Sequence, residues 1–168
     1  MTFTTKANSL GTAAFSNVTT NSIQANWTAN GNPSGTQYYC ENTTKGTNSN
    51  WITSTSWNST GLSANTTYHF QVKARNEDGV ETNWTDLGSQ KTPILGDFGS
   101  ANNGPPDCVV DFEDLMIFAL AYGSIPSDSN WNPVCDIACP GGLIPDGVID
   151  FEDLMIFAMH YGETCADM

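Results

Sequence analysis

Four aspartates, Asp97, Asp107, Asp111 and Asp114, recur without a gap as Asp136, Asp146, Asp150 and Asp153. The whole segment Asp97 to Gly123 aligns in the same way with Asp136 to Gly162. Carboxylates at a fixed and repeated spacing are a set of hard oxygen donors, and chance does not place four of them in register twice. Their surroundings sharpen the point. All five basic residues (Lys6, Lys45, Lys73, Arg75 and Lys91) lie in the first 91 positions beside only five acids, so that part is neutral. The other thirteen acids follow Lys91, where there is no lysine or arginine, and they carry the entire formal charge of −13. A segment so charged repels itself unless cations come to it.

An all-oxygen ligand set on flexible loops suits calcium, because magnesium demands tighter octahedral geometry. Zinc would ask for Cys or His, and the cysteines lack a four-ligand spacing. The expected cofactors are therefore two Ca2+ ions, one per repeat. Aspartate at a helix start is common without any metal, but capping does not explain four aligned acids in each copy. Paired carboxylates can also serve a hydrolase. These acids keep metal-loop register and do not read as two walls of a cleft. His160 has no nucleophile beside it, and Ala121 stands in its place in the first copy. No enzyme is expected.

Each acidic cluster runs into an apolar segment, "DFEDLMIFALAYG" and "DFEDLMIFAMHYG". At 100° per residue, Leu115, Phe118, Ala119 and Tyr122 fall on one side of a helix, and Met116, Ile117, Leu120 and Ala121 on the other. The second copy places Leu154, Phe157, Ala158 and Tyr161 opposite Met155, Ile156, Met159 and His160. A surface helix should be polar on one face, and a module this small cannot bury both faces of two helices. One face is expected to form the module's core. The other is expected to meet a partner through Phe112, Met116, Ile117, Leu120, Phe151, Met155, Ile156 and Met159. Complete burial of such side chains supplies roughly 1.5–3 kcal/mol each, much of it offset by the cost of association. Packing on the neighbouring domain, or on the connector with Trp131 as a lid, is the alternative use of the same face.

The ends of the repeats, "DCVVDFED" and "DGVIDFED", resemble the second half of an EF-hand calcium loop. On that pattern Asp97 and Asp136 are first, Asp107 and Asp146 fifth, and Asp111 and Asp150 ninth. Asp114 and Asp153 are twelfth, while Val109 and Val148 give a backbone carbonyl. Gly147 sits where the loop turns sharply, and Cys108 replaces that glycine in the first copy. Nine residues separate the first and fifth positions where three are usual. The third position is then Gly99 or Ala138, whose backbone or a water would serve, with Asn102 or Asn103 as substitutes in the first loop. The shared pattern D-x-V-x-D-x-x-D-L-x-x-F-x-x-x-Y-G resembles type I dockerin modules over nearly all of the second half. The resemblance implies a small all-α module with two calcium loop-helix (F-hand) motifs that plugs into a cohesin-like partner. Dockerins often carry small hydroxyl residues just before each helix; here the pairs are Phe112-Glu113 and Phe151-Glu152. Dockerin helices run antiparallel, which implies a Cys108–Cys165 disulfide. Cys135 and Cys139 would then bridge locally, leaving Cys40 free.

The first half is rich in Thr, Asn and Ser, with short runs of period-two alternation. Ile23, Ala25 and Trp27 share a face, as do Tyr38 and Cys40, and Tyr68, Phe70, Val72 and Ala74. Such runs predict an antiparallel sandwich. Leu62, Thr66, Tyr68, Phe70, Val72, Ala74, Asn76 and Gly79, with Trp27 and the closing "KTP", resemble a fibronectin type III domain. That implies an all-β, Ig-like spacer or binding module with Tyr68 as its corner tyrosine. Cys40 reads as a small buried hydrophobe. Trp51 and Trp57 share one strand parity and Ile52 has the other. If Ile52 faces the core, both indoles face outward and could stack on a glycan.

The expected organisation is a tail at 1–7, a fibronectin type III sandwich at 8–93 and a dockerin-like module at 94–168, with repeats at 97–123 and 136–162. The acidic balance argues against nucleic acid, and no apolar run is long enough to enter a membrane as a helix. The chain is expected to be the C-terminal part of a larger secreted prokaryotic protein, extracellular or on the cell surface. Its expected function is calcium-dependent docking to a cohesin-like domain. A calcium-stabilised structural module that binds nothing in trans, or glycan binding by the sandwich, are the alternatives.

Overall fold

The computed structural model describes residues 6–100, 104–139 and 142–165. The chain forms two compact units, Met1–Thr92 and Pro93–Met168. Among the described residues no helix is long and apolar enough to cross a membrane.

Among the described residues the first unit has seven strands: β1 (Gly11–Thr12), β2 (Ser22–Thr28), β3 (Gln37–Asn42), β4 (Thr47–Ile52), β5 (Ser56–Thr60), β6 (Thr67–Arg75) and β7 (Thr85–Lys91). They form two antiparallel sheets of order β1-β2-β5 and β4-β3-β6-β7. The alternation in the sequence is the alternation of burial. Ile23, Ala25 and Trp27 on β2 meet Tyr38 and Cys40 on β3 and Tyr68, Phe70, Val72 and Ala74 on β6 in one core. The Tyr68 hydroxyl accepts the Ser63 N–H at 2.8 Å, the corner contact expected of it. Cys40 is fully buried, and burial pushes its thiol up to about 12, so it acts as a core hydrophobe.

The two tryptophans do not share a face. Trp57 packs on the core, 6.4 Å from the Phe70 ring. Trp51 lies on the outer surface against Tyr39, at 5.4 Å, with the Arg75 guanidinium 4.2 Å over its ring. The reason is topological: β4 and β5 belong to different sheets. The chain crosses between them at residues 53–55, so strand parity does not carry from Trp51 to Trp57. Glycan stacking by this pair loses its geometry.

The second unit contains α1 (Phe112–Ala121) and α2 (Phe151–His160). Both start at a capping box, with Asp111 or Asp150 as N-cap and Asp114 or Asp153 reaching back to it. The chain segments around the helices pair reciprocally. Val110, leaving the first acidic loop, accepts the Gly162 N–H at 2.8 Å and donates to the Glu163 carbonyl at 3.0 Å. Ile149, leaving the second loop, accepts the Gly123 N–H at 2.7 Å and donates to the Ser124 carbonyl at 3.1 Å. Each loop is thus completed by the segment that follows the other helix. Between them the rings of Phe98, Phe118 and Phe157 stack at 5.7–6.0 Å.

The buried helix face is turned by roughly a quarter turn from the expected one. Ala121 is buried with Phe118, Cys135 and Ile149, and Ile117 is half-buried against them. Ile156 is half-buried too, whereas Ala119 and Tyr122 are exposed. The packing of Ile149 beside Ala121 draws that side inward, a contact that helix periodicity does not contain.

Candidate functional site

The aspartates of each repeat are brought together by backbone amides. Asp97 accepts N–H bonds from Asp107 (3.2 Å) and Cys108 (2.9 Å), and Asp136 accepts them from Asp146 (3.0 Å) and Gly147 (2.9 Å). Asp114 accepts from Phe98 (2.7 Å), Gly99 (3.1 Å) and Asp111 (2.9 Å). Asp153 does the same with Ile137 (2.7 Å), Ala138 (2.8 Å) and Asp150 (2.8 Å). Asp107 and Asp146 accept from Val109 and Val148, and Asp111 and Asp150 from Glu113 and Glu152. The first, fifth and twelfth positions are therefore neighbours in space despite the long spacing between them.

The additional residues are pinned where they leave and rejoin the loop. Ser100 and Gly104 exchange backbone bonds at 3.1–3.2 Å, and Cys139 and Gly142 do so at 3.0–3.1 Å. Asn102 and Asn103 lie outside the described residues. At the third position, the Gly99 and Ala138 N–H groups point to Asp114 and Asp153. At the turn, Cys108 has φ +74° and Gly147 +89°, so both loops use left-handed backbone there.

Burial sets the electrostatics. Asp114 and Asp153 are wholly buried, and Asp97 and Asp136 nearly so, while Asp107 and Asp146 are exposed. Burial pushes the Asp97 carboxyl up to about 6; the amide bonds oppose this and the Asp114 charge adds to it. Burial also raises Asp114 and Asp136 above the usual carboxylate range. Among the described residues, no three carboxylate, imidazole or thiol groups converge as a formed metal cage. The carboxylates are turned to backbone amides, which carry part of the task expected of an ion.

The helices expose matching stripes. Phe112, Met116, Ala119 and Leu120 on α1 correspond to Phe151, Met155, Ala158 and Met159 on α2, and all eight are exposed. Leu120 and Met159 are 74% and 72% accessible. Ile117 and Ile156, expected on this face, lie at its inner margin. His160 bonds Glu163 at 2.9 Å, an i,i+3 pair on the same turn with no nucleophile attached.

Cys108 and Cys165 form a disulfide with a Cα separation of 5.1 Å. The local bridge expected between Cys135 and Cys139 does not form; both are free. Cys135 is fully buried with Phe118 and Ile149, whereas Cys139 lies past the buried stretch 136–138, half-buried, where its backbone pairs with Gly142. Sequence reasoning missed Phe98, whose ring joins the first loop to both helices; its counterpart, Ile137, breaks the repeat and hides the signal. It also missed the outer face of the sandwich. There the Lys73 ammonium sits 4.8 Å over Trp84 and 5.5 Å over both Tyr39 and Trp51, and it bonds Glu81 at 2.6 Å.

No curated protein matches the chain. Among solved structures, the chitinase ChiA74 from Bacillus thuringiensis is 26% identical with a TM-score of 0.41. That likeness covers 50% of this chain, which spans only 13% of the chitinase's length. A domain of human fibronectin type III domain containing protein 3 is 18% identical with a TM-score of 0.45, over 60% of this chain and 97% of that one. A mutant type II cohesin–X–dockerin complex from Acetivibrio cellulolyticus is 21% identical with a TM-score of 0.36, over 79% and 85% of the two chains. The family of the fibronectin type III domain, a non-catalytic module common in extracellular proteins, matches residues 11–87. With its two sheets and its corner tyrosine in place, the first unit is a fibronectin type III domain.

Proposed function

We propose that the second unit is a calcium-dependent docking module of dockerin type, carried behind the fibronectin type III spacer of a secreted protein. One observation carries this reading: in each repeat two buried carboxylates, Asp97 and Asp114 or Asp136 and Asp153, lie in a unit without a single lysine or arginine. Helix capping accounts for Asp111 and Asp150. It does not require Asp97 and Asp136 to be buried or Asp107 and Asp146 to be held beside them. The donor set fits calcium, being all oxygen, with exposed carboxylates next to buried ones. Asp97, Asp107, Asp111, Asp114 and the Val109 carbonyl would hold one ion. Asp136, Asp146, Asp150, Asp153 and the Val148 carbonyl would hold the other. The ions would supply the positive charge that the unit's own side chains lack.

The exposed stripes support docking. Phe112, Met116 and Leu120, with Phe151, Met155 and Met159, give two matched apolar surfaces on a highly charged module, and methionine suits an adaptable contact. A cohesin-like domain is the proposed partner.

Calorimetric titration of chelator-stripped protein with calcium tests the first step, with two ions per chain expected. No heat, together with an unchanged melting temperature, would overturn it. A pull-down with a cohesin domain, with and without chelator, tests the second. Calcium binding without capture would leave a structural module only.

A further inference from the structure

The two acidic loops share their hydrogen bonds but differ at the turn. Gly147 takes the left-handed backbone freely, whereas Cys108 takes it with a side chain attached, which L residues resist. Both nonetheless donate to the first aspartate of their loop at 2.9 Å. Cys108 is held from the other side. Its sulfur is bonded to Cys165, its carbonyl accepts the Cys165 N–H at 3.0 Å, and Val110 exchanges bonds with Gly162 and Glu163. The second loop has no such clasp. Its exit pairs through Ile149 with Gly123 and Ser124, and Pro126 stands where the first loop's clasp has Cys165.

We infer that the Cys108–Cys165 disulfide holds the first acidic loop in the turn that the second obtains from Gly147, so that the redox state of this one bond sets the first loop and not the second. Cys108 is exposed, so a dithiol reductant can reach it. One thiolate of the dithiol attacks a disulfide sulfur, breaks the Sγ–Sγ bond and forms a mixed disulfide. Its second thiol then displaces the protein. Two electrons and two protons pass to Cys108 and Cys165, which end as thiols, and the reductant leaves as its own disulfide. Once released, Cys108 can leave the left-handed region and take its N–H away from Asp97. The inference does not depend on an ion in either loop.

Amide hydrogen exchange on the full chain in excess calcium, oxidised and after dithiol reduction, tests it. Reduction is expected to speed exchange at Asp107 and Cys108 by about tenfold while Asp146 and Gly147 stay within about twofold. The double variant C108G/C165S, with no disulfide but a glycine at the turn, should keep the slow exchange of the oxidised protein at positions 107 and 108. C108S/C165S should match the reduced protein. Equal acceleration in both loops, or none in the first, overturns the inference. So does a C108G/C165S protein that exchanges as fast as C108S/C165S, because the bond would then be a general staple rather than a substitute for glycine.

Discussion

The sandwich and the second unit bury different chemistry. The first buries an apolar cluster, from Ile23 and Trp27 across to Phe70 and Val72, with neutral polar side chains such as Asn42 and Ser59 beside it and, among the described residues, no charged group. The second unit buries Phe118, Phe157, Ile94 and Ile149, but also four aspartates. An apolar core stabilises by leaving water, in any buffer. A buried carboxylate costs free energy unless donors or cations meet it. The backbone amides around Asp114 and Asp153 meet part of that need and leave the charge uncompensated. On the proposed function, the sandwich carries its stability within itself, while the second unit is expected to depend on the cations in solution.

Calcium removal should separate the two most sharply. Chelation is expected to lower the melting transition of the second unit by on the order of 10–20 °C and to leave the sandwich transition in place. Scanning calorimetry with and without chelator reads both, and a joint shift would erase the contrast. Comparable in size is a cut into the apolar core. Phe70→Ala should cost the sandwich about 3–5 kcal/mol, by the same amount with or without calcium, in denaturant melts followed by tryptophan fluorescence.

The exposed stripes should behave in the opposite way. Leu120→Asp with Met159→Asp is expected to abolish capture by a cohesin domain while changing stability by less than about 0.5 kcal/mol per site. A large loss of stability would make the stripes part of the fold instead. The smallest expected effect is on pH. Asp97 titrates near 6 in the folded protein against about 4 when unfolded. Its folded value is raised, so the stability it contributes is complete below about pH 4 and is lost as pH rises through 6. In chelator, the second unit should melt higher at pH 5 than at pH 7.5. With calcium that order should reverse, because the ion selects the ionised carboxylates. Melts at the two pH values, with and without the ion, check the sign.

Much of both units was legible along the chain. Period-two runs such as Tyr68-Phe70-Val72-Ala74 name their own buried face, because neighbours on a strand alternate sides whatever lies beyond. The acids repeat in register, and each cluster announces the helix behind it, although the cap itself is Asp111 or Asp150. Trp57 was misread because parity holds only within one strand and ends where the chain changes sheets. The helix faces were misplaced because a helix that is apolar all round does not say which side its neighbours will take. Cys135 and Cys139 were joined on closeness in sequence, although one is fully buried in the core and the other lies half-buried beyond it.

The sequence alone determined the sandwich strands, the duplicated acidic loops and the charge that one unit carries without a counterweight, since these rest on local periodicity and composition. Only the tertiary structure decided that each loop is closed by the segment after the other helix, that Phe98 ties the first loop to both helices, and which helix stripes stay exposed. Those features depend on contacts between residues far apart in the chain, and no spacing within a single element encodes them.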